Sequence, residues 1–430
     1  MHFTTLDQWL DWQTSLNPRE IELGLDRCRL VAQRLNLLPT PCFVITVAGT
    51  NGKGSSTVLL DTILSISGYR VGRYTSPHLL RYNERICIAG QEVTDEQLCR
   101  AFDAIETVRE NIALTFFEFS TLAAMLIFQA NQVDLAVLEI GLGGRLDAVN
   151  IFDPDVALVT AIDIDHVEWL GADRESIGLE KAGIFRPYQP AVCSDIHPPQ
   201  SLINYAHQLP TVLYYLGHHF TYQQIDNSSW SWQYHSVIPA QTDNCCSYSQ
   251  LPLPQLAGDF QLHNAAGVLM VLELIKGSFS CPLAAIQQGL VQAYLPGRFQ
   301  IFAGEIMRIL DVAHNPLGAQ VLSRLLHQQP CHGQTHAVFG MLKDKDIAGV
   351  CQIMCQIIDH WYVAPLNTPR SATTQQLIDC LTTLAIKPVQ HYPSITIAYH
   401  QAFLTAQPGD RIVVFGSFYS VAEVLQLEKG

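Results

Sequence analysis

The sequence predicts an α/β fold in two parts: an N-terminal domain with a mostly parallel sheet and a phosphate-binding loop, then a smaller C-terminal α/β domain. Three observations carry this expectation. Short β-branched runs alternate with longer helical patterns along the chain. A glycine-rich stretch, VAGTNGKGSS (Val47–Ser56), lies between one such run and one such pattern. And 430 residues, 48% of them hydrophobic, exceed what one ordinary domain packs around a single core.

Taken in order, Cys42–Ala48, Asp134–Ile140 and Val156–Ile162 are continuously apolar and end in glycine or polar residues, the pattern of strands buried on both faces. Helical patterns at Asp95–Glu110 and Phe117–Ala130 lie between them, an order that builds a parallel sheet covered on both faces. From His197 to Leu256 the texture shifts to aromatics, Ser, Asn and His (NSSWSWQYHS), which predicts short antiparallel strands rather than helices. That region carries no chemical motif. Helices resume at Gln261–Ile275 and Leu283–Ala293. Pro296-Gly297 in LPGRFQ then break the pattern like a hinge, dividing domain 1–297 from domain 298–430. Beyond it Ile306–Leu310, His336–Gly340, Trp361–Ala364 and Arg411–Phe415 alternate with helical patterns, a Rossmann-like series.

Bulk properties exclude several classes. A net charge of -14 with no Lys/Arg cluster argues against a nucleic-acid surface. The N-terminus lacks the basic-then-apolar order of a signal peptide. The most apolar span, near Phe119–Ala130, is too short and interrupted to cross a membrane. Twelve scattered cysteines without a C-x-x-C pair read as reduced thiols of a cytoplasmic protein.

The chemistry concentrates at strand ends. In the loop, Gly49, Gly52 and Gly54 let backbone N–H groups approach phosphate oxygens, and the following helix start adds partial positive charge. Lys53 would offset β/γ-phosphate charge, and Ser55 or Ser56 would cap the helix or touch phosphate or metal. The spacing is not that of the Walker loop, because only Thr50 and Asn51 separate Gly49 from Gly52-Lys53. In YTSPHLLRYNERI, Ser76 ends a strand, and His78, Arg81, Glu84 and Arg85 follow; a turn plus a solvated loop would read the same way. In LEIGLGGRLDAVN, Glu139 sits at a strand's C-terminal end, where open α/β sheets hold ligands. A carboxylate there is either a metal ligand or half of a buried salt bridge. TAIDIDHVEWLG places Asp163, Asp165 and His166 at another strand end, followed by EKAGIF. Oxygen and imidazole groups beside a phosphate loop fit a Mg²⁺–nucleotide site. The later LDVAHNP (Asp311, His314, Asn315), GMLKDKD and FGSFYSV stretches follow strands in the same way, an arrangement that would face the nucleotide across a cleft.

Together GTNGKGS, TSPHL, LEIGLGGRLDA, DHVEWLG, EKAGIF, PGRFQ, DVAHNP and GSF, in this order, resemble the folylpolyglutamate synthases, in particular the bacterial bifunctional type that is also a dihydrofolate synthase. These belong to the ATP-dependent amide ligases that include the Mur peptide ligases, and the resemblance covers nearly all of the chain outside 197–256. It implies an ATP-dependent acid–amino-acid ligase acting through an acyl phosphate on dihydropteroate, tetrahydrofolate and L-glutamate. The cofactors implied are ATP and Mg²⁺, with a monovalent cation as a further candidate, in a monomer. By position, Gly49–Ser55 would meet the phosphates, and Ser76, Glu139 and His166 would hold Mg²⁺. Asn264, Arg298 and Asp311 would contact ATP. Glu20, Ile21, Glu22 and Leu23, Thr115, Phe116, Phe117 and Glu118, and Leu146, Asp147 and Ala148 would line the pteroate site. His314 and Ser417 would meet glutamate, with Lys53, His166, Lys181 and His314 as the catalytic set. Lys181 matches a lysine the family carries as N6-carboxylysine; its alternative is a surface ammonium paired with Glu180. A Mur-type ligase for another carboxylate, and a nucleotide-binding regulator without turnover, remain the competing functions.

Overall fold

The computed structural model describes residues 3–17, 19, 21–235, 245–258, 260–386 and 388–429. Contacts divide it into two compact units, Met1–Gln255 with Gln261–Tyr294, and Leu256–Phe260 with Leu295–Gly430. The division thus falls between Tyr294 and Leu295, ahead of the hinge glycine.

The main sheet of the first unit has, among the described residues, eight strands: β1 (Phe43–Ala48), β2 (Val71–Tyr74), β3 (Ile86–Ile88), β4 (Gln91–Glu92), β5 (Leu135–Glu139), β6 (Val156–Val159), β7 (Pro190–Cys193) and β8 (Val212–Tyr215). Their order is β4-β3-β2-β5-β1-β6-β7-β8. Pairing is parallel from β2 across to β8, and antiparallel only at the β2–β3–β4 edge. The central strands are mostly apolar because both faces are covered. Arg73 in β2 reaches Asp61 of the helix Lys53–Ile66 at 3.3 Å. Its neighbour Tyr74 meets Thr121 of the helix Phe116–Ala130, also at 3.3 Å. Successive strand residues point to opposite faces, so these two helices clothe opposite sides of the sheet.

Local chemistry sets where helices begin. Thr94 with Gln97 and Thr115 with Glu118 form capping boxes that satisfy otherwise orphaned N–H groups. The short edge pair β3–β4, missing from the sequence reading, follows from a buried 3₁₀ turn at Tyr82–Arg85.

The 197–256 region divides in two. Strands β9 (Phe220–Gln224), β10 (Ser229–His235) and β11 (Cys245–Pro252) form the expected antiparallel sheet. Before them, however, comes a helix at Gln200–Gln208, and then β8 joins the main sheet in parallel. The helix escaped composition because its polar residues hide an i, i+4 apolar pair, Leu202 and Ala206, both fully buried. The small sheet packs on the helix Phe260–Ile275: Trp232 is buried and its indole N–H donates to the Ala266 carbonyl at 3.2 Å.

The second unit has β12 (Gln300–Phe302), β13 (Met307–Leu310), β14 (Thr335–Phe339), β15 (His360–Val363), β16 (Val389–His391) and β17 (Arg411–Phe415). The order is β12-β13-β17-β14-β15-β16, parallel except for β12. Its own apolar core gathers Ile309, Phe339, Trp361 and Phe415. Among the described residues, no helix is long and apolar enough to cross a membrane.

Candidate active site

The phosphate loop is held by β6's continuation. Thr50 N–H donates to Ala161 O at 2.7 Å, Thr50 Oγ1 donates to Asp163 O at 2.9 Å, and Thr160 Oγ1 donates to Asn51 O at 2.8 Å. Gly52 is left-handed, with φ +92°, and forms the N-cap of the helix Lys53–Ile66. A Cβ on Gly52 would stand 2.4 Å from Asn264 Oδ1, and one on Gly49 would stand 1.8 Å from Thr160 Oγ1. Only glycine fits at either place. Gly52 has no side chain with which to cap this helix start, and the positive end of a helix suits an anion.

Of the roles expected for Ser55 or Ser56, capping the helix is excluded, because the cap position is Gly52. Ser55 lies inside the first turn, buried, and accepts from Gln261 Nε2 at 3.2 Å. Gln261 in turn accepts from Asn264 Nδ2 at 2.9 Å. Asn264, expected to contact ATP, thus lies against the loop at Gly52, with Gln261 as a partner that the sequence did not point to. The two residues stand i, i+3 on one helix. Lys53 Nζ is folded back over the loop, donating to Gly49 O at 3.0 Å and Thr50 O at 3.1 Å.

At the next strand end, Ser76 N–H donates to Glu139 Oε2 at 3.2 Å, joining two of the expected metal ligands. Glu139 is buried. The loop between Ser76 and Arg85 is not a solvated one. Glu84 draws in the N–H groups of Leu79, Leu80 and Arg81, and buried Arg85 donates to His78 Nδ1 at 2.8 Å. Burial and Arg85 push the His78 imidazolium down to about 4. His166 begins the short helix Val167–Leu170 in a left-handed conformation, φ +52°, beside Asp165. Among the described residues no three His, Cys, Asp or Glu side chains gather as a metal-holding group. Ser76 and Glu139 offer hard oxygen donors of the kind Mg²⁺ takes, with phosphate oxygens and water to complete its shell.

Lys181 is buried, and Glu180 pairs instead with Arg145 at 2.8 Å. The surface ion pair considered for Lys181 does not form, because its helix turns Glu180 outward and Lys181 inward. Burial first, then the charge of Lys53, push the Lys181 ammonium down to about 7 against a pull from Asp165. Asp147, buried nearby, is pushed up to about 7 by burial, opposed by the N–H groups of Leu142, Val149 and Gly141 and by Lys53. Lys53 therefore acts electrostatically on both.

The three segments expected to line the pteroate site come together. Gly24 N–H donates to Leu146 O at 3.3 Å, and Arg27 bridges Glu22 and Glu118, 3.2 and 2.9 Å away. Phe116 and Phe117 are half-buried and packed against the apolar core of the first unit. Phe116 lies edge-on to Tyr82 and under Arg85, and the Phe117 ring packs onto Gly141. Ile21, Leu23 and Leu146 are also half-buried, and Ala148 is buried. Glu118 is committed to capping Thr115 and to Arg27. Glu20 lies outside the described residues.

In the second unit, the loops after β13, β14 and β17 meet at one end of the sheet. Gly416 N–H donates to Ala313 O at 2.9 Å and lies against the Gly340 carbonyl. Asp311 accepts from the N–H groups of Phe299 and Ala313, both at 2.8 Å. Burial pushes its carboxyl up, and Arg298 with those two N–H groups pulls it back. The Arg298 guanidinium stands 5.5 Å over Phe418. His314 Nδ1 contacts Val312 O at 2.8 Å, Asn315 caps the helix Pro316–Gln328, and Ser417 is buried, bonding Tyr419 N–H.

Residues 47–272 match the Mur ligase middle domain, and residues 297–418 match the Mur ligase glutamate ligase domain. The chain is 41% identical to the dihydrofolate synthase/folylpolyglutamate synthase of Escherichia coli strain K12, over 98% of this chain and 95% of that protein. It belongs to the dihydrofolate synthase/folylpolyglutamate synthase family. Among solved members of this family, E. coli FolC in complex with DHPP and ADP superposes with a TM-score of 0.91 at 41% identity, covering 99% and 98% of the two chains. A bifunctional folylpolyglutamate synthase/dihydrofolate synthase with Mn, AMPPNP and L-glutamate bound superposes with a TM-score of 0.89 at 42% identity, covering 99% and 98%. The family's α/β architecture, with a mostly parallel first sheet and a second α/β sheet, is the one found in this chain.

Proposed function

We infer that this chain is an ATP-dependent ligase that joins folate carboxylates to L-glutamate, converting dihydropteroate to dihydrofolate and lengthening the glutamyl tail of tetrahydrofolate. The observation that carries it is the chain-long identity to enzymes of that name, joined to a phosphate loop in which Gly49 and Gly52 are sterically required.

In this reading a substrate carboxylate oxygen attacks the γ-phosphorus of ATP, and the bond to ADP breaks. The glutamate amine then attacks the acyl carbon, gives up a proton, and phosphate leaves. The loop from Gly49 to Ser55, with Asn264, holds the phosphates in place for in-line transfer. Lys53 swings its ammonium from the loop carbonyls to the transferring phosphoryl group, where fixed positive charge lowers the barrier. Ser76, Glu139 and His166 would hold Mg²⁺, which when bound neutralises phosphate charge. Arg298 and Asp311 supply ATP contacts, and His314 and Ser417 supply glutamate contacts, from the second unit. We assign 1–297 as the ATP-binding domain with the folate site, and 298–430 as the glutamate-side domain.

A buried amine with its acid form pushed down to about 7 has a substantial neutral fraction at neutral pH. Its lone pair attacks CO₂, a proton leaves, and Lys181 becomes an anionic N6-carboxylysine. That carbamate would remove the repulsion from Lys53. We place the protein in the cytoplasm as a monomer with small-molecule partners and no nucleic acid, in keeping with its net charge of -14.

The test is phosphate release by the pure protein with ATP, Mg²⁺, dihydropteroate and glutamate, with dihydrofolate as the product sought. Release that requires both the pteroate and glutamate supports the reading. Release driven by another carboxylate would favour a Mur-type ligase, and nucleotide binding without turnover would favour a regulator.

A further inference from the structure

We infer that Arg27, opening the helix Asp26–Arg34, is a positioning residue for the pteroate substrate: it clamps the coil Ile21–Gly24 to the aromatic helix start at Phe116–Phe117. The inference rests on the folate reading above. Its guanidinium is the right shape for this clamp, a planar fork that serves two carboxylates at once. Nε stands 2.9 Å from the Glu118 carboxylate, and Nη1 stands 3.2 Å from Glu22 Oε1. Nη2 also donates to the Glu22 carbonyl, fixing the coil's backbone as well as its side chain.

Each anchored end is itself rooted. The Glu118 carboxylate is 3% exposed, and it also takes the Thr115 N–H at 2.8 Å and Oγ1 at 3.0 Å. Glu22 is steadied by Asn17 Nδ2 at 2.9 Å, whose other bond runs to Ala113 O, just ahead of the same helix. The coil has no regular structure of its own. Without Arg27, Glu118 would keep its cap bonds, so the helix start would persist while the coil lost its main tether to it. The coil that carries Ile21 and Leu23, expected to line the pteroate site, would then be misplaced relative to that helix start. Arg27 acts through Glu22 and Glu118, and no contact of its own with substrate is required.

Arg27→Lys keeps the charge and loses the fork. In steady-state assays with ATP, Mg²⁺, glutamate and dihydropteroate, we expect KM for dihydropteroate to rise about ten-fold or more, the size of one lost charge-assisted bond. KM for ATP should stay within about two-fold, because the phosphate loop shares no bond with the clamp. Glu22→Gln, at a more exposed position, should raise the same KM by a smaller factor, and it keeps the test alive if Arg27→Lys folds poorly. An active wild type whose two variants leave KM for dihydropteroate unchanged would overturn the clamp and leave the folate reading standing. So would equal loss in every kinetic constant with a lowered Tm, the mark of a merely structural residue. A wild type that neither binds nor turns over dihydropteroate would remove the folate reading itself, and the clamp with it.

Discussion

Lys53 is held by two loop carbonyls in a loop where a side chain at Gly49 or Gly52 would clash. Lys53→Ala should lower kcat by about 10²–10⁴-fold, as loss of a charge aimed at a transition state does, with an unchanged circular dichroism spectrum. Gly49→Ala should instead act on stability. Its new methyl would displace Thr160 Oγ1 from 1.8 Å, at a cost of about 1–3 kcal/mol, read as a lowered denaturant midpoint. Lys181 gives a pH-dependent test. Its folded value, about 7, is depressed from 10.5, so the unfolded chain binds more protons between those limits. Native stability therefore rises with pH across that window, and the deficit is complete below it. In bicarbonate-free buffer, Lys181→Met should be more stable than the wild type at pH 6 by up to about 4 kcal/mol. Urea melts should show the advantage gone near pH 10. For turnover, Lys181→Ala should be inactive, and short carboxylic acids should restore part of the activity by standing in for the carbamate.

At the scale of elements, the aromatic β9–β11 sheet has a mechanical task that its sequence does not announce. Trp232 fixes Ala266 on the helix that also presents Gln261 and Asn264 to the loop. Trp232→Phe removes one buried hydrogen bond and some packing, and should cost about 1–3 kcal/mol of stability. If the brace matters to the site, KM for ATP rises in the same variant while KM for dihydropteroate does not. An unchanged KM for ATP would confine Trp232 to stability alone.

For the whole molecule, we propose that one phosphate loop serves both reactions. GTNGKG occurs once in the chain, and Glu139 joins Ser76 on the strand beside it. Glu139→Gln should therefore abolish glutamylation of dihydropteroate and of tetrahydrofolate together, measured on a single preparation. Retention of either activity near the wild-type rate would require a second phosphate-transfer site.

The sequence by itself determined the parallel sheet, because strands buried on both faces must be mostly apolar along their length, and β1, β5 and β6 are. It also located the phosphate loop, since glycines between a strand and a helix leave few other uses for a lysine. The second unit's strand-end loops were legible for the same reason. The Gln200–Gln208 helix was not, because composition averages over faces while burial selects only Leu202 and Ala206. Lys181 could be named from its motif, but the direction it faces was open until Arg145 was seen to take Glu180. The Arg27 clamp joins residues 91 apart in the chain. A salt bridge of that separation leaves no periodicity to read, and only the packing of the coil and two helices decides that it forms.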